Sequence, residues 1–390
     1  MLDSIDIGTS GLLGFSKELQ TISNNVANLN TPGFKGSNSE FSDLFSQGGN
    51  GTVSGQGGQI GSGLATLPSV INFTQGQINQ TGNDLDTAIE GSGFFVLRDT
   101  AGQVSYTRDG AFKFDADGIL VNANGDHVQA LNAKGALQDI TLTGSRFSAP
   151  KASTAITMAG SLSTADTSKV VSVTVIDSSG ASHVLSVDFK NNTATTPGEW
   201  GVTVTDGATT LTAAGDKIDF TNGAINSAHD SVTFTFAPAG AASMSLTLTM
   251  DPSTTSPATG TSDAHVTLVD GYGKGEMTKT TFDAGGNLVV SYSNGQTVKN
   301  QQLALATFNS TAGLYAVSGN DFKNSDPQAV TLSIAQSGVS TIDAASLEAS
   351  NVDLSKEFSA IIITQRGYQA SSELISTANQ MLDTLMHMKG

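Results

Sequence analysis

Both ends of this chain carry an apolar stripe with helical spacing, and the long stretch between them does not. Leu12, Phe15, Leu19, Ile22, Val26 and Leu29 follow one another at alternating intervals of three and four residues, a heptad seam on one helix face. Pro32-Gly33 ends that pattern. At the other end Leu374, Ala378, Met381, Leu385 and Met388 step by four and three, while Ile361, Tyr368, Ile375 and Leu382 form a second stripe seven residues apart. Ser350 and Asp353 have the spacing of a capping box ahead of it. A helix of roughly 30 residues is about 45 Å long, so the chain begins and ends in rods. Such stripes need a partner. Pairing with each other in a coiled coil, pairing with neighbouring copies, and an ordinary intramolecular pair capping a core all satisfy the spacing.

Between the rods the periodicity changes. Residues 47–63 are rich in Gly and without period, which predicts a flexible linker. From Phe73 onward the pattern predicts strands. Phe94-Phe95-Val96-Leu97 is a short buried run, and Val104 to Val128 reads as strands joined by polar turns. Val171 to Val175, Val187 to Phe189 and Val232 to Phe236 alternate apolar and polar residues, and Leu246, Leu248 and Met250 share one strand face. One internal echo helps to place domains. Phe114-Asp115-Ala116-Asp117-Gly118-Ile119-Leu120-Val121 with Asn124-Gly125 is repeated, two residues longer, in Phe282-Asp283-Ala284-Gly285-Gly286-Asn287-Leu288-Val289 with Asn294-Gly295. An even insertion keeps the same side chains facing inward. The echo predicts two related hairpins that flank an inserted β domain and pack as one inner domain.

The fold class expected is therefore α+β, mainly β. It comprises two terminal helices forming a coiled coil, a discontinuous inner β domain and an inserted outer β domain. The expected boundaries are 1–46 for the N-terminal helix and export or assembly segment, 47–72 for the linker, and 73–145 for the first part of the inner domain. The outer domain takes 146–265, the second inner part 266–345, and the C-terminal helix 346–390.

Composition narrows the function. With 18 Lys and Arg against 35 Asp and Glu, the net charge of −17 opposes binding to nucleic acid or an anionic membrane. No cysteine is present, which removes disulfides, thiolate metal sites and Cys nucleophiles. No segment approaches the roughly 20 apolar residues of a membrane span. The start Met1-Leu2-Asp3-Ser4-Ile5-Asp6 lacks the basic region and apolar core of a cleaved signal, so export is expected to keep the N-terminus. His127, His183, His229, His265 and His387 are scattered outside any metal-ligand spacing. Gly271 to Gly275 lacks the spacing of a phosphate loop and reads as a turn. Asp115, Asp117 and Gly118 begin like a calcium loop, but the closing Glu is missing and a hairpin turn fits better. Trp200 is expected to anchor a core. No catalytic residue, metal or cofactor is expected.

Three groups of motifs resemble the axial rod and hook family of the bacterial flagellum. Near the N-terminus they are Ser10-Gly11-Leu12, then Ile22-Ser23-Asn24-Asn25-Val26-Ala27-Asn28, then Asn30-Thr31-Pro32-Gly33-Phe34-Lys35. The second group is Phe73-Thr74-Gln75-Gly76, Thr81-Gly82-Asn83-Asp84-Leu85-Asp86, Ala88-Ile89, Gly91-Ser92-Gly93-Phe94-Phe95 and Tyr106-Thr107-Arg108-Asp109-Gly110. The third is Leu347-Glu348-Ala349-Ser350-Asn351-Val352-Asp353-Leu354-Ser355 with Gln365-Arg366-Gly367-Tyr368. With the segments they frame, they cover about half the chain. Rod proteins share them; the large insertion favours the hook branch.

The resemblance implies a mechanical, non-enzymatic role in motility. The chain would be an extracellular subunit of a curved hollow tube, a universal joint that carries torque from rod to filament. Terminal helices would line the tube, the inner domain would form its wall, and the insertion would lie outside. Expected partners are like subunits, the distal rod, a transient hook cap, the hook–filament junction proteins and the type III flagellar export apparatus. Phe41-Ser42-Asp43-Leu44-Phe45 fits a Phe-x-x-x-hydrophobic export motif, with a packing cluster as its alternative. A distal rod subunit, a secreted β-rich adhesin and an extracellular hydrolase are the rival readings. Straight assemblies, ligand binding by the insertion, and a clustered acid/base site would mark them respectively.

Overall fold

The computed structural model describes residues 2–45, 61–212, 216–326, 329–335 and 340–388. Two long helices bound it, α1 over Leu2–Ala27 and α2 over Leu354–Met388. The chain divides into two compact units. The first holds residues 1–143, 280–289 and 299–390, and the second holds 144–279 and 290–298.

The first unit is built on a ten-stranded sheet. Its main path runs Leu314–Ala316, Asp321–Asn324, Val104–Thr107, Phe94–Arg98, His127–Leu131, Leu120–Val121 and Lys113–Phe114. Ala304–Phe308 also pairs with Phe94–Arg98 and with Val330–Ile334. The run Phe94 to Leu97 is buried throughout, as a strand covered on both faces must be. Phe94 is the hub of one core. Phe73, Phe308 and Phe322 meet its ring edge-on, with centroids 5.6, 5.4 and 5.9 Å away. Short antiparallel ribbons tie the chain ends to this body. Ile78–Gln80 pairs with Ser346–Glu348, Thr87–Gly91 with Ser340–Ala344, and Ser37–Asn38 with Val70–Ile71.

The second unit contains a sandwich. A six-stranded sheet carries Ser168–Ile176, Ser182–Asn191 and Glu199–Asp206. A four-stranded sheet carries Ser231–Phe236, Met244–Met250, Ala155–Ala159 and His265–Val269. Val173, Val175, Leu185, Val187, Phe189, Val202 and Val204 meet Phe234, Leu246, Leu248 and Met250 in one core, and fully buried Trp200 anchors it. Period-two burial of Val232, Phe234 and Phe236 is the sequence alternation made solid.

Several expectations need correction. Residue 265 is too early an end for the insertion, because His265–Val269 completes the four-stranded sheet against Ala155–Ala159 and Tyr272 bridges to Lys151. The linker expected over 47–72 contains strand Gly61–Thr66, which folds back on Phe41–Phe45, and Val70–Ile71; residues 46–60 lie outside the described residues. The two echoing hairpins share turn chemistry, since Asp115 Oδ1 accepts from the Asp117 and Ile119 amides as Asp283 Oδ1 does from those of Gly285 and Asn287. They belong to different sheets, however: the first adds Lys113–Phe114 and Leu120–Val121 to the ten-stranded sheet, and the second lies in a four-stranded sheet in which Gly275–Phe282 pairs with Phe147–Ser148. Ser350 does not cap α2. Asp353 does, accepting from the Ser355 and Lys356 amides at 2.9 and 3.3 Å, while Ser350 Oγ accepts from Val352.

Candidate assembly interface

α1 and α2 pack through small residues as much as large ones. Thr364, Ser371 and Ala378 are the buried residues of α2, seven apart and on the face that also holds half-buried Ile361, Gly367, Ile375 and Leu382. Opposite them, a Cβ on Gly8 would lie 2.7 Å from Ile375, one on Gly11 2.8 Å from Ser371 Oγ, and one on Gly367 2.5 Å from the Phe15 ring. These are notches into which the facing side chain fits. On α1, Ile22 is buried, and Leu12, Phe15, Leu19 and Val26 are partly buried; the helix ends at Ala27, so Leu29, the last residue of the expected seam, lies partly buried in the turn that follows.

Apart from buried Ala378, the stripe of large residues that begins at Leu374 faces elsewhere, as does Tyr368 of the seven-residue stripe. Leu374, Met381, Leu385 and Met388 are 55, 52, 51 and 88 % exposed, and Tyr368 is 41 % exposed. The rotation between the stripes explains this: Leu374 and Met381 each precede Ile375 and Leu382 by one position, about 100° around the helix, so a narrow seam against one helix cannot cover both. Phe41 lies beside Phe15, with ring centroids 6.5 Å apart, in the strand that pairs with Gly61–Thr66. The side chain of Phe45 lies outside the described residues.

The motif residues at the foot of α1 hold a turn. Asn28 Nδ2 donates to the Asn24 carbonyl at 2.9 Å, and Asn28 Oδ1 accepts from Thr31 at 3.2 Å. Gly33 takes a φ of +68° and lies against the Arg108–Asp109 backbone, which leaves no room for a side chain. Phe34 is buried beside it in sequence. Asn25 clasps both backbone groups of Ser37 at 2.9 and 3.0 Å and donates to Glu357 of α2 at 3.0 Å. Asn351 accepts from the Gly36 amide at 2.8 Å and donates to the carbonyls of Asn72 and Thr74 at 2.7 and 3.0 Å.

Beneath this turn lies a charge cluster that the sequence reading quoted inside motifs but did not single out. Glu348 is fully buried and bonds Lys35 Nζ at 2.6 Å through Oε1 and Arg108 Nη1 at 3.2 Å through Oε2. Oε1 also accepts from the Gly76 amide at 2.7 Å. Lys35 Nζ donates to the Thr74 carbonyl at 2.8 Å, and Arg108 Nη2 to that of Gly91 at 2.7 Å. The Arg108 guanidinium stands 5.0 Å from the centre of the Phe94 ring. Burial pulls Lys35 below its ordinary range, and the Glu348 carboxylate opposes that shift. The available signal was scarcity: of only 18 basic residues, three stand inside the quoted motifs, Lys35, Arg108 and Arg366, and the first two meet here.

Nothing among the described residues groups three or more His, Asp or Glu side chains as a metal site. The histidines pair singly with carboxylates, His127 with Asp139, His183 with Asp177 and His229 with Asp219.

Three family descriptions match the chain. "Flagella basal body rod protein" matches residues 5–35, "Flagellar hook protein FlgE/F/G D1 domain" residues 88–163, and "Flagellar basal body rod FlgEFG protein C-terminal" residues 336–388. Flagellar hook protein FlgE of Salmonella typhimurium is 32 % identical, over 99 % of this chain and all of that protein. FlgE of Escherichia coli is 31 % identical over 97 % of this chain and 98 % of its own length. FlgE of Treponema pallidum is 31 % identical over the full length of both. Among solved structures, Helicobacter pylori hook protein FlgE2 aligns with a TM-score of 0.48 and 12 % identity, over 68 % of this chain and 98 % of that one.

Proposed function

Because this chain belongs to the flagellar hook protein family, we propose that it builds the hook as a curved hollow tube and that its paired terminal helices carry the assembly. It is a structural subunit of the flagellar hook, a motility organelle part. The observation that carries this reading is identity of 32 % maintained over 99 % of the chain, insertion included. The tube would be a universal joint, transmitting torque from rod to filament outside the cell. The exposed stripe of Leu374, Met381, Leu385 and Met388 suits burial against a helix of a neighbouring copy, since four large side chains in water are worth about 1.5–3 kcal/mol each once covered. The inward stripe of Ile361, Ile375 and Leu382 would hold each subunit's own pair. Distal rod, cap and junction proteins would meet the ends of the tube. Delivery through the flagellar export apparatus without signal cleavage, with Phe41 and Phe45 in the export motif, completes the proposal.

Electron microscopy of the polymerised protein tests it. Curved, hollow tubes are expected, with Leu19→Asp and Leu382→Asp chains remaining monomeric and keeping their β circular dichroism, because a seam charge would be buried unpaired. Straight rods from the unaltered chain, or tubes from either variant, would refute it.

A further inference from the structure

Lys35, Arg108 and Glu348 come from three separate parts of the chain. Lys35 follows α1, Glu348 precedes α2, and Arg108 follows strand Val104–Thr107 of the ten-stranded sheet. All three are at least nine-tenths buried, and Glu348 is the carboxylate that both cations contact. We infer that Glu348 is a positioning residue which makes docking of the N-terminal and C-terminal arms onto the β body a single event.

The reasoning is charge balance in a dry site. With the C-terminal arm detached, Lys35 would sit as a second cation beside Arg108 with no carboxylate between them. With the N-terminal arm detached, the contact to Arg108 remains but the Lys35 contact to Oε1 is lost. A buried charge left uncompensated is strongly destabilising, so the state with only the N-terminal arm docked is disfavoured, while the state with only the C-terminal arm docked keeps the matched Arg108–Glu348 pair but loses the Lys35 contact. Backbone links reinforce the same junction. The Gly33 amide donates to the Glu348 carbonyl at 2.8 Å, and the Asn351 amide to the Phe34 carbonyl at 3.4 Å. The Gly76 amide, in the β body, donates to Glu348 Oε1. Arg108 keeps its carbonyl partners at Ile89 and Gly91 whichever arm leaves, so the β body holds the receptor cation ready. For an assembling subunit the consequence is that the two helices are delivered to their neighbours together, at a fixed point on the body.

Hydrogen exchange with mass spectrometric readout on the full chain tests the linkage. Glu348→Gln keeps an acceptor for Gly76 but removes the charge. It should speed exchange in residues 24–36, the arm it does not belong to, as much as in 346–353, by roughly a hundredfold. Lys35→Met leaves the matched Arg108–Glu348 pair and should be milder. Lys35→Met/Glu348→Gln removes one of the two cations left without a carboxylate and should restore at least about tenfold of the protection lost. Acceleration confined to 346–353, or a double variant as fast as Glu348→Gln, would overturn the inference. Strand His127–Leu131 serves as the fold control. If it also loses protection in Glu348→Gln, recovery of both arms in the double variant supports the linkage, and absence of recovery overturns it.

Discussion

Asp321 is 5 % exposed, and its Oδ1 has no hydrogen-bond partner. Its other oxygen receives only a long contact of 3.5 Å from Asn124 Nδ2. Burial, with the negative charge of Asp126 added, pushes its carboxyl up to about 7, while the Asn124 contact opposes the shift. An unfolded aspartate titrates near 3.9, so between about pH 4 and pH 7 the folded chain holds more protons at this site than the unfolded one. Stability from this group therefore falls as pH rises through that window and is lowest above it. Asp321→Asn should stabilise the chain at pH 8 by on the order of 2 kcal/mol and flatten the window. Urea midpoints at pH 5 and pH 8 check this; equal pH slopes for both chains would show that Asp321 stays charged in the fold. Nothing in the sequence flags this residue. It is one of 35 acidic positions, and only the packing of strand Asp321–Asn324 beside Val104–Thr107 takes it out of water.

At the scale of elements, the ends were legible and their mating faces were not. The heptad spacing reports that a helix has an apolar stripe, and both helices formed where it lay. For α2, however, spacing offers two stripes of similar strength, and size complementarity chose between them. The glycines at 8, 11 and 367 let backbones approach, so the seam that closes is the one with Thr364, Ser371 and Ala378 rather than the one with more large apolar residues. This geometry can be trapped chemically. A Cβ at Gly11 would lie 3.5 Å from that of Ser371, within the usual disulfide separation of about 3.5–4.5 Å, and the chain has no cysteine to interfere. Gly11→Cys/Ser371→Cys should oxidise to an intramolecular bridge, detected by mass after mild oxidation. Gly11→Cys/Leu374→Cys, with its second thiol on the exposed stripe, should remain reduced. Equal oxidation of both pairs would mean that the helices rotate freely against each other.

At the scale of the whole molecule, the chain leaves the first unit at residue 144, returns to it for 280–289, adds 290–298 to the second and ends in the first. Lys151 and Tyr272 exchange backbone hydrogen bonds of 2.9 and 3.0 Å, so the sandwich between them enters and leaves at one point. Replacing residues 152–271 by a turn of about two residues should therefore close a hairpin rather than tear a sheet. The remainder is expected to keep its β circular dichroism and to form tubes of altered curvature, because contacts outside the wall would select the bend. Loss of all tube formation from a folded remainder, seen by electron microscopy, would make the sandwich part of the main scaffold. That cut differs from one drawn at residue 265, since strand pairing of His265–Val269 with Ala155–Ala159 joins residues more than a hundred positions apart.

What the sequence determined alone is whatever depends on neighbours along the chain. Helical and strand periods and the turns at Asp115 and Asp283 are local, each readable from a few adjacent letters, and the absence of thiol chemistry follows from composition. The motifs also sufficed to place the chain among flagellar axial proteins, because their order and spacing are properties of the string. What the tertiary structure decided is which local options meet. Glu348 became the balance between Lys35 and Arg108, Gly367 became the notch for Phe15, and Asp321 became a carboxyl held near neutrality. Each depends on loss of water and on contact with a distant residue, and both arise only when the chain closes on itself.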